Sequence, residues 1–265
     1  MIPAAAALFG AIIGSFLNVV ILRRGVRSLG GRSSCTSCAR PLEWYELVPV
    51  LSWLALAGQC RTCGSGISWQ YPAVEALTAI LFAFIAAAPL PFTYQMSAAL
   101  VACLSIVIAV YDIRHTIIPD EWVILLSMSA LMFSWAVGAF SFSPWEALLA
   151  GPFAALPFFL LWLVSGGRWM GLGDAKLALG IGWFLGILDG FRAIVLAFML
   201  GAIVSVCILL PLPYLIHALR RFGAHASVRA FTMKSEVPFG PFLLAAMWIV
   251  WLAGAYGFEL PILNI

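Results

Sequence analysis

Residues 73–111 read AVEALTAILFAFIAAAPLPFTYQMSAALVACLSIVIAVY, two apolar runs at 73–90 and 94–111 parted by Pro89 and Pro91 and holding a single charge, Glu75. Each run is close to the roughly 20 residues that a helix needs to cross a hydrocarbon core about 30 Å thick. Inside that core the backbone finds no water to bond, so such runs are read as helices that satisfy their own N–H and C=O groups. Working outward, comparable runs fall at 3–22, 121–140, 148–165, 177–188, 193–216 and 239–256. The expectation is an all-α polytopic membrane protein with about eight transmembrane helices, the run at 177–188 being too short to cross without its neighbours. Composition agrees: 64% of the 265 residues are hydrophobic and 9% charged, against about 45–50% and about 25% in soluble domains. A soluble globule is excluded. The net charge of +3 is too small for a nucleic-acid surface, and lipid is the expected surrounding.

The one long polar stretch, 23–72, divides the chain into a first transmembrane helix (1–22), a small polar loop module (23–72) and a seven-helix membrane core (73–265). No basic residue precedes the first run, so it reads as a retained helix rather than a cleaved signal. With the loop placed inside the cell, all Lys and Arg except Arg192 fall on the inner side, as the positive-inside rule requires. Arg192 has Asp189 three residues before it as a partner. Both termini are then extracytoplasmic.

Within the polar module stand Cys35-Thr36-Ser37-Cys38 and Cys60-Arg61-Thr62-Cys63, two CxxC pairs with the spacing of a zinc ribbon. Thiols inside the cell stay reduced and free to bind metal, and a polar module this small gains folding free energy from a tetrahedral ion. Four thiolates leave no open coordination position, so the expected zinc is structural. Redox pairs are the competing reading. His115, His217 and His225 are not needed as ligands, and Cys103 and Cys207 lie mid-span as apolar fillers. Gly10 and Gly14 give the first helix a face of small residues for close packing, with Asn18 bonded to a neighbour.

Asp112 ends the third run and Asp174 opens the sixth, in Gly171-Leu172-Gly173-Asp174. The topology puts both at one depth on the cytoplasmic side. Two carboxyls so placed can share a proton, one acting as general base toward water and the other as general acid. The bland alternative is that each marks a helix end and pairs with Arg114 or Lys176. Asp120, between Pro119 and Glu121, reads as the N-cap of the fourth helix.

Taken in order, the motifs resemble those of the type IV prepilin peptidases, GxGD-type aspartic membrane proteases. They comprise Gly14-Ser15-Phe16-Leu17-Asn18-Val19, the two CxxC pairs, Trp44-Tyr45-Glu46 with Pro49, and Tyr71-Pro72-Ala73-Val74-Glu75. Asp112 with Ile118-Pro119-Asp120, the stretch from Gly171 through Leu177, and Pro238-Phe239-Gly240-Pro241-Phe242 complete the set. The resemblance implies a protease of the bacterial cytoplasmic (inner) membrane. It removes the short basic leader of type IV prepilins or type II secretion pseudopilins after a glycine, at the cytoplasmic face. Asp112 and Asp174 are the implied catalytic dyad. N-methylation of the new N-terminus from S-adenosylmethionine is implied for bifunctional members, from whose pattern Thr36 and Gln59 depart. A basic leader calls for acidic partners, for which Glu43, Glu46 and Glu75 flank the cysteines. The scissile segment is expected to lie as a strand beside Gly171 and Gly173. A transporter or channel, or a zinc-ribbon assembly factor without chemistry, are the competing classes. A transporter would hold its polar groups near the midplane, whereas these aspartates sit at edges.

Overall fold

The computed structural model describes residues 2–25, 28, 30–138, 143–209 and 237–258. Eight of the apolar runs fold as helices: α1 (Ile2–Arg23), α3 (Gln70–Ala87), α4 (Phe92–His115), α5 (Asp120–Ala136), α6 (Pro144–Ser165), α7 (Leu172–Leu185), α8 (Ile187–Val204) and α9 (Gly240–Ala255). A short helix, α2 (Leu51–Ala55), and a 3-10 turn at Trp44–Leu47 lie in the polar module. No strand is formed among the described residues, only two isolated bridges.

The polytopic all-α class is as expected, but the number of full spans is lower. Among the described residues five helices, α1, α3, α4, α6 and α8, are long and apolar enough to cross a membrane. The other three have 17, 14 and 16 residues. At 1.5 Å per residue the shortest, α7, reaches only about 21 Å. It is covered instead by protein, since α5, α6, α8 and α9 all pack on it and Leu177, Ala178 and Ile181 are fully buried. A short helix in such surroundings needs no lipid contact over its full length. The expectation of about eight complete crossings is corrected accordingly.

α1 packs chiefly on α3. A Cβ on Gly14 would meet Glu75 Cα and Thr78 Oγ1 at 2.8 and 2.9 Å, so only glycine lets the two backbones come this close. Asn18 is 1% exposed; its amide donates to the carbonyls of Gly14 and Tyr71 and its oxygen accepts from Gln70 Nε2. It ties α1 to α3. At the far end Arg192 donates to Asp189 at 2.8 Å, the expected pair. Asp120 differs from expectation: it is the first residue of α5, after Pro119 at the cap position, and its carboxylate takes the Lys176 ammonium at 2.8 Å. Pro119 supplies the extended backbone that an N-cap needs, which frees Asp120 to join α5 to α7.

Candidate active site

Each CxxC pair sits in a knuckle. Cys35 N–H donates to Arg40 O and Cys60 N–H to Ser65 O, while Ala39 and Gly64, each four residues after the first cysteine of its pair, donate back to Cys35 O and Cys60 O. The bridges Ser34–Pro41 and Gln59–Gly66 close the two turns. Together they bring the four sulfurs within 4.8 Å of one another. Cys35 Sγ and Cys63 Sγ are 3.8 Å apart, the edge of a tetrahedron whose metal–sulfur bonds are about 2.3 Å. Hydrogen bonds from the Cys38 backbone N–H and then the Ser65 hydroxyl draw the Cys35 thiol down to about 5, into the thiolate form that a metal requires. The donor set fits one closed metal site.

Around this centre the three glutamates take different places. Glu46 is buried; Arg40 donates to both of its oxygens at 2.6 and 2.9 Å, and the Glu43 N–H adds a third bond. The Arg40 guanidinium, with that backbone N–H, holds the Glu46 carboxyl below the usual carboxylate range. Glu75, buried in α3, accepts from the Val50 N–H at 2.7 Å and bonds the Ser15 side chain. Both fasten the module: Glu46 internally, Glu75 to the α1–α3 pair. Glu43 alone is exposed. Glu75→Ala should therefore loosen the module by about 1 kcal/mol or somewhat more, the cost of leaving a half-buried backbone donor without its charged partner. Limited proteolysis of residues 23–72 in the intact membrane protein reads this loss, and unchanged protection would deny Glu75 its anchoring role.

The aspartates come from opposite ends of their helices to one place. Asp112 lies three residues before the end of α4, 4% exposed, and Asp174 is the third residue of α7. The Asp112 charge acts directly on Asp174. Neither joins an ion pair among the described residues, because Lys176, the neighbour that could have neutralised Asp174, is held by Asp120. The bland reading of Asp174 as a helix-end partner of Lys176 thus loses its support. Ile118, on the turn between α4 and α5, fills the space between the two sides: a Cβ on Gly173 would meet Ile118 Cβ at 3.0 Å, and one on Gly240 would meet Ile118 Cδ1 at 3.3 Å. Gly171 is exposed and extended, φ −75° and ψ 149°, with Asp174 Oδ2 beside it.

One residue of this site went unassigned in the sequence reading. The first residue of α9, Gly240, donates its N–H to Asp112 Oδ2 at 3.1 Å in a buried contact across 128 positions of sequence. Its signal was the Pro238–Phe242 motif, which carried a resemblance but no role. On the outer rim the Arg24 guanidinium lies 5.0 Å from the Tyr111 ring and 4.7 Å from that of Trp122, and pairs with Glu121 at 3.0 Å. It ties the end of α1 to the end of α4 beside Asp112 and to the start of α5.

Comparison with known proteins divides the chain as this geometry does. Residues 8–89 match the model of the bacterial peptidase A24 N-terminal domain, and residues 99–206 that of the type IV leader peptidase family. A prepilin leader peptidase/N-methyltransferase of Aeromonas salmonicida is 30% identical over 93% of this chain and 89% of its own length. The chain belongs to the type IV leader peptidase family. A Bacillus subtilis member with the same name is 33% identical over 93% of this chain and 92% of its own. A Myxococcus xanthus member is 37% identical over 76% of this chain, which spans 61% of that relative's length. No solved structure matches. The first matched region holds the cysteines and Glu75, the second both aspartates.

Proposed function

We propose that this protein is an aspartic endopeptidase that removes the basic leader of type IV prepilins or pseudopilins after a glycine. The observation that carries the reading is the pair Asp112 and Asp174, brought together from two helix ends with no ion-pair partner for either among the described residues. One carboxylate takes a proton from water as the water oxygen attacks the scissile carbonyl; the other, protonated, gives its proton as the amide breaks. The proton returns to the pair with the product amine as the leaving group. Gly171 offers extended, uncovered backbone beside Asp174, which supports a scissile segment laid there as a strand. Gly173, packed on Ile118, supports the close approach of α7 to the turn after α4.

By the positive-inside rule the site faces the cytoplasm of the bacterial inner membrane, where a basic leader is exposed, and with the shorter α5, α7 and α9 completing their passage inside the bundle the termini lie outside. Of the three glutamates read for leader contact, Glu43 is the exposed one, and Glu46 and Glu75 act by holding the module in place. Glu43→Gln should raise KM about two- to fivefold for a native leader, the modest worth of an exposed charge pair. It should leave kcat alone and lose its effect once the leader's Lys and Arg are neutralised. An equal change for both leaders would move Glu43 from substrate binding to module structure.

The module itself we assign to one zinc ion held by Cys35, Cys38, Cys60 and Cys63, which supplies folding free energy and no chemistry. Elemental analysis of the purified protein should give one zinc per chain. The Cys60→Ser variant should lose it and open the module to protease while the helices stay protected; full zinc occupancy in that variant would refute the ligand set. The name shared by the relatives supports N-methylation of the new N-terminus as a second activity, with S-adenosylmethionine as donor. The cavities at Phe84–Tyr256 and at Phe198–Phe239 are lined mainly by apolar side chains, Ser205 excepted, and do not suit that charged ligand.

The test is cleavage of a full-length prepilin by the purified protein in lipid nanodiscs, wild type against Asp174→Asn, read by mass spectrometry of the new N-terminus. No cleavage by wild type, or equal cleavage by both, would overturn the reading.

A further inference from the structure

Between the cysteine knuckles, residues 47–58 read LVPVLSWLALAG, twelve residues without a charge in a module that otherwise holds many of the chain's arginines. An apolar stretch of about 10–14 residues is either core or an interfacial segment, being too short to span. It is not core. None of the residues of α2 is buried; Leu51 is 65% and Leu54 59% exposed.

Depth decides what covers it. α3 has 18 residues, about 27 Å, and so needs its whole length to cross a core of about 30 Å. Gln70 then stands at the boundary on the module's side, and Glu75 lies about 7.5 Å farther along the axis. A glutamate side chain reaches back toward the helix start by part of that distance. Its carboxylate is nevertheless bonded to Val50 N at 2.7 Å. Val50 is thereby held at or below the level where α3 begins. The backbone there is a tight γ-turn, Leu51 N–H to Pro49 O at 2.6 Å, with Val50 at φ 60° and ψ −50°. That region is costly for a β-branched residue, and the Glu75 bond holds it. The turn leads directly into α2. Trp69, packed at a tilt on Trp53 with ring centroids 4.1 Å apart, is 71% exposed directly before α3, as a headgroup-level aromatic would be.

We propose that residues 47–58 form an interfacial wedge whose partner is lipid: α2 lies in the leaflet on the module's side, with Leu51 and Leu54 at the headgroup–acyl boundary. The cysteine module is then fixed to the membrane at a second point besides its two flanking helices, which holds it at a set height above the aspartates.

The full-length protein in nanodiscs of phosphatidylethanolamine and phosphatidylglycerol tests this, with benzoylphenylalanine in place of Leu54 and, for comparison, of Thr36 at the knuckle. Both positions are exposed, so neither label displaces packed atoms. Irradiation should give lipid adducts at position 54 at least about tenfold above those at 36, as burial about 5–10 Å into the interface implies. Adducts at 54 to a second copy of the chain or to an added prepilin, or lipid adducts no more frequent than at 36, would overturn the proposal. The same label in place of Leu51 repeats the measurement should the first variant fail to accumulate.

Discussion

Asp112→Asn and Asp174→Asn each reduce prepilin cleavage by about 10²- to 10⁴-fold, the range by which general acid–base groups accelerate reactions. The loss falls on kcat, because the amide keeps the shape and the hydrogen-bonding reach of the carboxyl while it can neither take nor supply the proton at neutral pH. Insertion and helix packing should be unchanged. Asp112 makes its one buried contact by accepting from the Gly240 N–H, and an asparagine oxygen accepts that bond equally well. The double variant should be no worse than either single one, since residues that act as a unit lose their effect together. Turnover above about a tenth of wild type by either single variant would sink the dyad, because a tenfold change is only about 1.4 kcal/mol of barrier.

Gly240→Ala gives the second large effect, through geometry alone. The new Cβ would stand 2.7 Å from Asp112 Oδ2 and 3.3 Å from Ile118 Cδ1, closer than a carbon tolerates beside the first atom. Either the carboxylate rotates or α9 backs away, and the 3.1 Å bond from the Gly240 N–H is lost in both cases. A displacement of about 1 Å in a reacting group costs about 100-fold in rate, so kcat should fall by that order while KM for the prepilin changes little. Gly254→Ala, in the same helix with nothing within 4 Å of its Cβ, is the control and should retain full activity. Wild-type kcat for Gly240→Ala would show that the contact is absent from the working enzyme.

Much of the site could be read along the chain because its elements are local. The CxxC knuckles each close within eight residues, from Ser34 to Pro41 and from Gln59 to Gly66, so spacing alone carries their geometry. The apolar runs announce helices because a bilayer leaves the backbone no other partner. Glu75 and Glu46 were open to a second reading, since a charge on a module's flank looks the same in sequence whether it faces a substrate or is folded under. Only the Val50 N–H and the Arg40 fork distinguish the two. Among the described residues fewer helices can span unaided than there are apolar runs, for a related reason: apolar residues mark burial, and burial against protein reads like burial in lipid. α7, 14 residues long and packed on four other helices, has the composition of a span without the length.

By itself the sequence determined the all-α membrane class, the paired cysteine knuckles and the end of the bundle at which both aspartates lie, because hydropathy, thiol spacing and helix ends are properties of neighbouring residues. The tertiary structure decided the rest. It set Gly240 against Asp112, gave Lys176 to Asp120 instead of Asp174, and pulled the loop at Val50 down onto Glu75. These contacts join residues 25 to 128 positions apart. Which partner a buried polar group finds at such a distance depends on how the helices cross, and small residues such as Gly14 set that by how closely they let two backbones approach.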